Sequence, residues 1–245
     1  MRGPHWLALF ALILAAWAAL YAMSIPADLR AAGRVYGADF WADLCNLTPD
    51  AAGFVRMTLM WALMSASMMA PTALPAFATY EDLSHTGAET RIPALVAGYL
   101  VIWLGFSVMA AGLQLALLRN GLLDPFGSSA SAALSAGLLA VAGAYQFTPL
   151  KEACLSKCRA PMMFFLQHFE EGAFRNGVRL GAVCLGCCWA LMLLGFVGGV
   201  MNLGFMALAT VLMVLEKLPD IGRWLTRPLG VALLAGAAWV AITGI

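Results

Sequence analysis

Five of the six cysteines in this chain fall into two groups that could bind a metal ion. The segment CLGCCW places thiols at Cys184, Cys187 and Cys188 inside a long apolar run, and upstream Cys154 and Cys158 are four residues apart. Residues three or four apart share a helix face, so each group would present its sulfurs together. Soft thiolates select Cu(I), zinc or iron–sulfur clusters over hard cations. The pattern therefore predicts a soft-metal site built from both groups.

The surroundings of the cysteines favour the metal-binding form of the thiols. A nearby positive charge favours the thiolate, and a reducing cytoplasm disfavours disulfides. We expect the second group to lie about five residues, or ~8 Å, inside its helix, so that both groups meet near the inner leaflet. Packing is the alternative, because cysteine is also a small apolar core residue. The isolated Cys45 is not expected to be a ligand. The basic residues near the two groups are Lys151, Lys157, Arg159, Arg175 and Arg179.

Methionines form a second sulfur pattern. Met57, Met60, Met64 and Met68 recur at steps of three and four residues, and Met69 follows. On a helix they form one stripe about 16 Å long, with Met69 beside its inner end. Neutral thioethers suit Cu(I) far better than zinc. Methionine also fills irregular gaps between helices, so packing remains the alternative for the stripe.

Two prolines follow the methionines in the segment MMAPTALP. Pro71 cannot donate a hydrogen bond to the carbonyl of Ser67, so the helix should kink there. A carbonyl freed within lipid needs another partner, which a neighbouring helix, a nearby hydroxyl or a bound ion could supply. Further along, Glu216 and Lys217 suggest a charge pair at an inner helix end.

The elements that position these residues are predicted to be membrane-spanning helices. The chain has 245 residues, is 62% hydrophobic and 11% charged, and has a mean hydropathy of +0.85. About 20 apolar residues cross a bilayer, and the runs do not alternate as barrel strands would. We expect an all-α polytopic bundle with seven spans, or six if the turn around Gly195–Asn202 is misplaced. The spans are predicted near 6–25, 53–79, 92–118, 128–149, 226–244 and, divided by that turn, 178–218.

The distribution of Lys and Arg predicts the orientation in the membrane. Ten of the 14 basic residues would lie on one side if the N-terminus is cytoplasmic. This places the C-terminus outside and the chain in a bacterial inner membrane, in contact with anionic lipid. A net charge of +1 gives no reason to expect nucleic acid as a partner. We divide the chain into 1–52, an uncleaved anchor helix with an external amphipathic loop, and 53–245, a helical metal-binding domain.

Several spaced blocks carry a family resemblance. MWALMSASMMAPTALP, TPLKEACLSKCRAP, CLGCCWALM, GGVMNLGFMA and LEK occur in that order within roughly residues 55–220. The chain resembles the bacterial family of predicted metal-binding integral membrane proteins, long described as a domain of unknown function. The resemblance implies metal handling, with copper favoured, because at least one relative is described as a copper chaperone supplying a tyrosinase-type oxidase.

The family pattern also falls on particular positions of this chain. Many relatives carry a histidine before the CxGCC block, whereas this chain has Leu180, Gly181, Ala182 and Val183 there. If that histidine is a ligand, its loss here would affect the metal or the affinity. The matching positions are Met64, Met68, Met69, Pro71, Lys151, Cys154, Cys158, Arg159, Cys184, Cys187, Cys188, Trp189, Met192, Met201, Asn202 and Glu216.

The sequence thus supports two functions of different classes. The first is a membrane Cu(I) chaperone or acceptor for a partner metalloprotein such as a copper-dependent oxidase, with zinc as the other possible metal. The second is a structural or accessory subunit of a larger respiratory or photosynthetic membrane complex, in which the thiols are buried and bind no metal. Catalysis is not expected, because no phosphate-binding loop, dinucleotide fingerprint, nucleophile elbow or zincin helix is present.

Overall fold

A computed structural model describes residues 4–24, 50–83, 91–124 and 127–244. Helices form nearly all of this described part, which contains no strand, so the predicted all-α class is confirmed. In these ranges the helices are α1 Pro4–Ser24, α2 Ala51–Asp82, α3 Ile92–Arg119, α4 Ala132–Tyr145, α5 Pro149–Arg159, α6 Pro161–His168, a 3-10 turn Phe169–Glu171, α7 Ala173–Leu193, α8 Gly195–Gly198, α9 Leu203–Lys217 and α10 Ile221–Thr243.

Five of the described helical segments are long and apolar enough to cross a membrane: α1, α2, α3, α7 together with α8, and α10. The pair α4 and α5 is bent by 63° and adds a sixth if the two helices form one broken span. The seven expected spans are therefore not confirmed. The predicted turn does divide α7 from α9, but α9 has 15 residues, about 22 Å of helix, which is short for a ~30 Å hydrocarbon core.

Contacts between α1 and α2 show that these helices run in opposite directions. Trp6 at the start of α1 donates to the Glu81 carboxylate at the end of α2, at 2.6 Å. One end of the bundle therefore holds the start of α1 and the end of α2, and we call it the N-terminal end. Further along, the indole of Trp17 donates to the carbonyl of Ser67 at 3.0 Å. A neighbouring helix thus supplies the partner expected for the carbonyl that Pro71 frees, while α2 continues through the proline.

Helix α3 runs antiparallel to α2. Tyr99 lies opposite Met69 near the N-terminal end, and Gln114 accepts from the Trp61 indole at 2.7 Å farther along. Helix α3 also runs parallel to α7, and the backbones of these two helices lie very close together. A Cβ on Gly177 would lie 2.0 Å from the Leu95 carbonyl oxygen, so only glycine permits this approach.

Cys184 lies farther from the start of its helix than the sequence predicts. Helix α7 begins at Ala173, eleven residues before Cys184, which is about 16 Å rather than the expected ~8 Å. The connection before α7 is also helical, and α5 packs along α7. Residues 25–49 lie outside the described part of the chain, so the external amphipathic loop and Cys45 stay predictions. The proposed boundary between 1–52 and 53–245 is likewise a prediction.

Candidate metal centre

Three thiols of α7 form a compact buried cluster. The Sγ atoms of Cys184, Cys187 and Cys188 all lie within 4.8 Å of one another, and each residue is 1% exposed. The two neighbouring sulfurs, of Cys187 and Cys188, are 3.2 Å apart. Cys187 also directs its thiol to the carbonyl of Cys184, at 3.1 Å. One soft ion could be bound by all three sulfurs after small side-chain rotations.

Helix α5 brings the second cysteine group to the first. Cys158 lines the same cavity as Cys184. A Cβ built on Gly186 would lie 2.6 Å from the sulfur of Cys154, so the missing side chain of Gly186 makes room for this thiol. Cys154 and Cys158 are half-buried, in contrast to the three cysteines of α7. Helix α5 therefore places the half-buried group beside α7, but Cys154 and Cys158 do not belong to the group of thiols that lie within 4.8 Å of one another.

Two side chains that the sequence did not indicate complete the surroundings of Cys184. The Tyr99 hydroxyl lies 3.0 Å from the Cys184 sulfur and donates to the Met69 carbonyl at 2.9 Å. The Lys217 ammonium lies 3.0 Å from the same sulfur and also donates to the Thr72 hydroxyl. A cation next to a thiol favours its thiolate form, which is the metal ligand. The cluster therefore has a counter-charge in place.

A buried ion pair fixes the end of α9 next to the cluster. Lys151 on α5 donates to the Glu216 carboxylate at 2.9 Å, and both side chains are 1% exposed. Arg159 donates to the Glu216 backbone carbonyl at 3.0 Å and to the Thr226 hydroxyl at 3.2 Å. The expected pairing of Glu216 with Lys217 is therefore wrong. Glu216 faces α5, and Lys217 faces the thiols.

A cavity of about 250 Å³ leads to the cluster from the N-terminal end. It lies between the proline-containing part of α2, the junction of α5 and α6, and the end of α9. Cys184, Cys158 and Lys217 contribute to its wall, so a small ion or a partner's side chain could reach the sulfurs through it. Its other lining residues are Pro71, Thr72, Ala73, Pro75, Ala76, Tyr99, Arg159, Pro161, Leu180, Val214, Leu218 and Pro219.

The methionines of α2 are buried in the same core as the thiols. Met64, Met68 and Met69, the three predicted as ligands, are at most 3% exposed. Met69 is linked to the cluster through its backbone, because the Tyr99 hydroxyl lies between the Met69 carbonyl and the Cys184 sulfur. The role of these thioethers as ligands remains a prediction.

The donor set fits a soft metal. Among the described residues, the group that could hold an ion contains thiols alone, without carboxylate or imidazole. The ring nitrogen Nδ1 of His168 lies 2.9 Å from the Phe164 carbonyl, and His168 is not in this group. Sulfur donors favour Cu(I) and zinc over hard cations, in line with the predicted cargo.

Fold and site together define a class of helical protein with several potential membrane spans and a buried thiol cluster reached from one end. A comparison with known families specifies it further. Residues 58–240, from α2 to α10, match the PpoB2 family, described as a copper chaperone, and the chain belongs to this family. The family resemblance noted from the sequence blocks is thereby confirmed. No curated protein and no solved structure matches the chain.

Proposed function

We propose that this protein is an integral membrane copper chaperone that binds Cu(I) as cargo through its cysteine cluster and exchanges it with a partner metalloprotein. The observation that carries the proposal is the set of three buried thiols of α7, within 4.8 Å of one another and beside the Lys217 ammonium. Membership of a copper chaperone family supports copper as the metal. The ligands we propose are Cys154, Cys158, Cys184, Cys187, Cys188, Met64, Met68 and Met69.

The membrane location is supported by the outer surface of the bundle. Large apolar side chains such as Leu14, Leu104 and Trp239 are exposed on α1, α3 and α10, where lipid would cover them. The N-terminal end carries most of the basic residues of the described chain, which favours a cytoplasmic position for it. We propose the bacterial inner membrane, with the thiol cluster reached from the cytoplasm.

The division into buried and half-buried cysteines suggests how cargo is exchanged. The half-buried Cys158 and the buried Cys184 both line the cavity, so Cys158 could link the open space to the buried sulfurs. Copper could pass from one sulfur to the next without being released, because each thiolate can bind before the previous one leaves. The partner would be a copper-dependent oxidase or a larger membrane complex. No step requires a reacting substrate, so we propose a non-catalytic role.

Metal content measured by mass spectrometry tests this function. Wild type, purified anaerobically in mild detergent, is compared with a variant carrying Cys154→Ser, Cys158→Ser, Cys184→Ser and Cys188→Ser. The matched control is Cys45→Ser, which changes the isolated cysteine. We expect near-stoichiometric copper in wild type and control, and none in the fourfold variant.

Each other outcome would change the conclusion. Zinc in place of copper would keep the thiol site but contradict copper as its cargo. Equal copper in the fourfold variant would place the metal elsewhere. No metal in any protein would make the thiols a packing feature and favour an accessory subunit of a membrane complex.

A further inference from the structure

Helices α7 and α9 also carry buried methionines. Met192 on α7 and Met206 and Met213 on α9 are at most 2% exposed, and they belong to the same core as the thiols and the α2 methionines. Helix α9 packs against both α2 and α7. The register of these three helices shows which sulfurs share a level.

The Lys217 ammonium fixes this register, because it contacts Thr72 on α2 and the Cys184 sulfur on α7. Helix α9 follows α7 after a tight turn, so it runs antiparallel to α7 and parallel to α2. We count from the level of these three residues toward the end of the bundle opposite to the N-terminal end. One helical turn in that direction is four residues earlier on α2 and α9, and four residues later on α7. These positions are Met68, Met213 and Cys188.

The next levels also carry sulfur. A second turn brings Met64 on α2 level with Met192 on α7. The structure agrees, since a Cβ on the nearby Gly195 would lie 4.0 Å from the Met64 methyl carbon. Another turn brings Met60 on α2 close to the level of Met206, which lies seven residues before Met213 on α9.

We infer that these six methionines form a second Cu(I)-binding region, a thioether path that begins at Cys188 and leads toward the opposite end of the bundle. The inference rests on the proposed function and adds ligands from α7 and α9 to the stripe on α2. Successive levels are about 6 Å apart by helical rise. Thioethers are neutral, so they can be buried without the cost of burying a charge, and they bind Cu(I) without adding to the negative charge of the thiolates.

Silver titration tests the path, with Ag(I) as a soft ion that does not change oxidation state. The protein in detergent is titrated anaerobically, and bound silver is counted after desalting. The test variant carries Met68→Leu, Met192→Leu and Met213→Leu, substitutions that conserve volume and are well tolerated in cores. The control carries Met109→Leu, Met162→Leu and Met163→Leu at exposed positions. The fourfold cysteine variant described above is measured in parallel.

We expect wild type and control to bind at least one silver ion more than the methionine variant. The cysteine variant should keep the ion that the methionine variant loses. Equal silver binding by the methionine variant and its control would overturn the thioether path. In that case the proposed function would still hold if the cysteine variant loses its copper. Absence of any copper or silver in all proteins would instead contradict the proposed function together with the path.

Selenomethionine labelling provides a measurement without substitutions, should the triple variant fail to fold. X-ray absorption at the silver edge distinguishes selenium from sulfur neighbours. In the fourfold cysteine variant, where the silver that stays bound is that of the thioether path, selenium is expected in the first coordination shell of the silver. A shell of sulfur alone would overturn the path.

Discussion

The sulfur of Cys184 lies 3.0 Å from both the Tyr99 hydroxyl and the Lys217 ammonium, so two other helices contact this thiol directly. The sulfurs of its neighbours Cys187 and Cys188 contact each other, and the Cys187 thiol also contacts the Cys184 carbonyl. Because the Lys217 ammonium contacts a sulfur of this cluster, it would offset part of the negative charge of a bound metal–thiolate unit.

Replacing Lys217 by leucine should weaken Cu(I) binding by roughly tenfold or more. The change removes the charged donor without adding a sulfur ligand, and hydrogen bonds from charged groups contribute about 1.5–3 kcal/mol. Competition with a chromophoric Cu(I) chelator gives the affinity. The exposed Lys157 on α5 provides the control Lys157→Leu. Equal affinities for the two variants would show that Lys217 does not stabilise the bound ion.

The sequence predicted the thiols of this site but not its other members. Spacing along a helix shows that Cys184, Cys187 and Cys188 share a face, because those contacts are local. Tyr99 and Lys217 lie 85 and 33 residues from Cys184 along the chain, and nothing in their own neighbourhoods indicates a thiol partner. Such contacts depend on helix packing, which periodicity does not determine.

At the scale of helices, the close approach of α3 and α7 positions Tyr99 next to the cluster. Gly177→Ala should lower the free energy of unfolding by about 1–3 kcal/mol, since the added carbon would lie 2.0 Å from the Leu95 carbonyl oxygen and 3.0 Å from the Tyr99 nitrogen. Thermal unfolding in detergent measures this. Gly105→Ala on α3, where no atom lies within 4 Å of the new carbon, should leave stability unchanged or raise it. Similar losses in both variants would show that helix packing at Gly177 is not the cause.

The ion pair between α5 and α9 offers a second prediction. Lys151→Met leaves the Glu216 carboxylate buried and unpaired, so we expect a loss of about 3–5 kcal/mol in unfolding free energy. Combining it with Glu216→Leu should recover most of the loss, because both charges are then removed. Thermal unfolding of the single and double variants provides the comparison.

A pair near the surface serves as the control for this prediction. Arg179 and Glu171 are 2.7 Å apart but partly exposed, so Arg179→Met should cost at most about 1 kcal/mol. If Lys151→Met lowered the free energy of unfolding no more than Arg179→Met does, the buried pair would not fix α9 to α5.

Element boundaries show where sequence reasoning succeeded and where it stopped. Helix breakers in the segment from Gly195 to Asn202 correctly predicted the division of α7 from α9, and Pro71 correctly predicted a freed carbonyl. The start of α7 was placed too late, because polar residues such as Arg175 and Asn176 are typical of a loop although they lie on a helix. Hydropathy also does not distinguish the short α9 from a full span, since both are apolar.

At the scale of the whole molecule, charge distribution and helix direction agree. Helices α3 and α7 begin at the N-terminal end, together with the basic residues Arg91 and Arg175, while Arg119 lies at the opposite end. The cavity beside the thiols is lined by residues such as Pro75 and Leu180, which lie between the thiols and the same basic end. A cytoplasmic N-terminal end would therefore expose the cluster to the reducing compartment in which free thiols persist.

Labelling of introduced cysteines in intact cells tests this orientation. Glu170→Cys reports on the N-terminal end and Asn120→Cys on the opposite end, and both positions are exposed. Both substitutions are made in a Cys45→Ser background, which on its own measures the reaction of the remaining native thiols. A membrane-impermeant maleimide should label the cysteine at 120 in intact cells. It should label the cysteine at 170 only after the cells are permeabilised. The reverse pattern would place the thiol cluster on the outer side, and copper exchange would then involve an external partner rather than a cytoplasmic one.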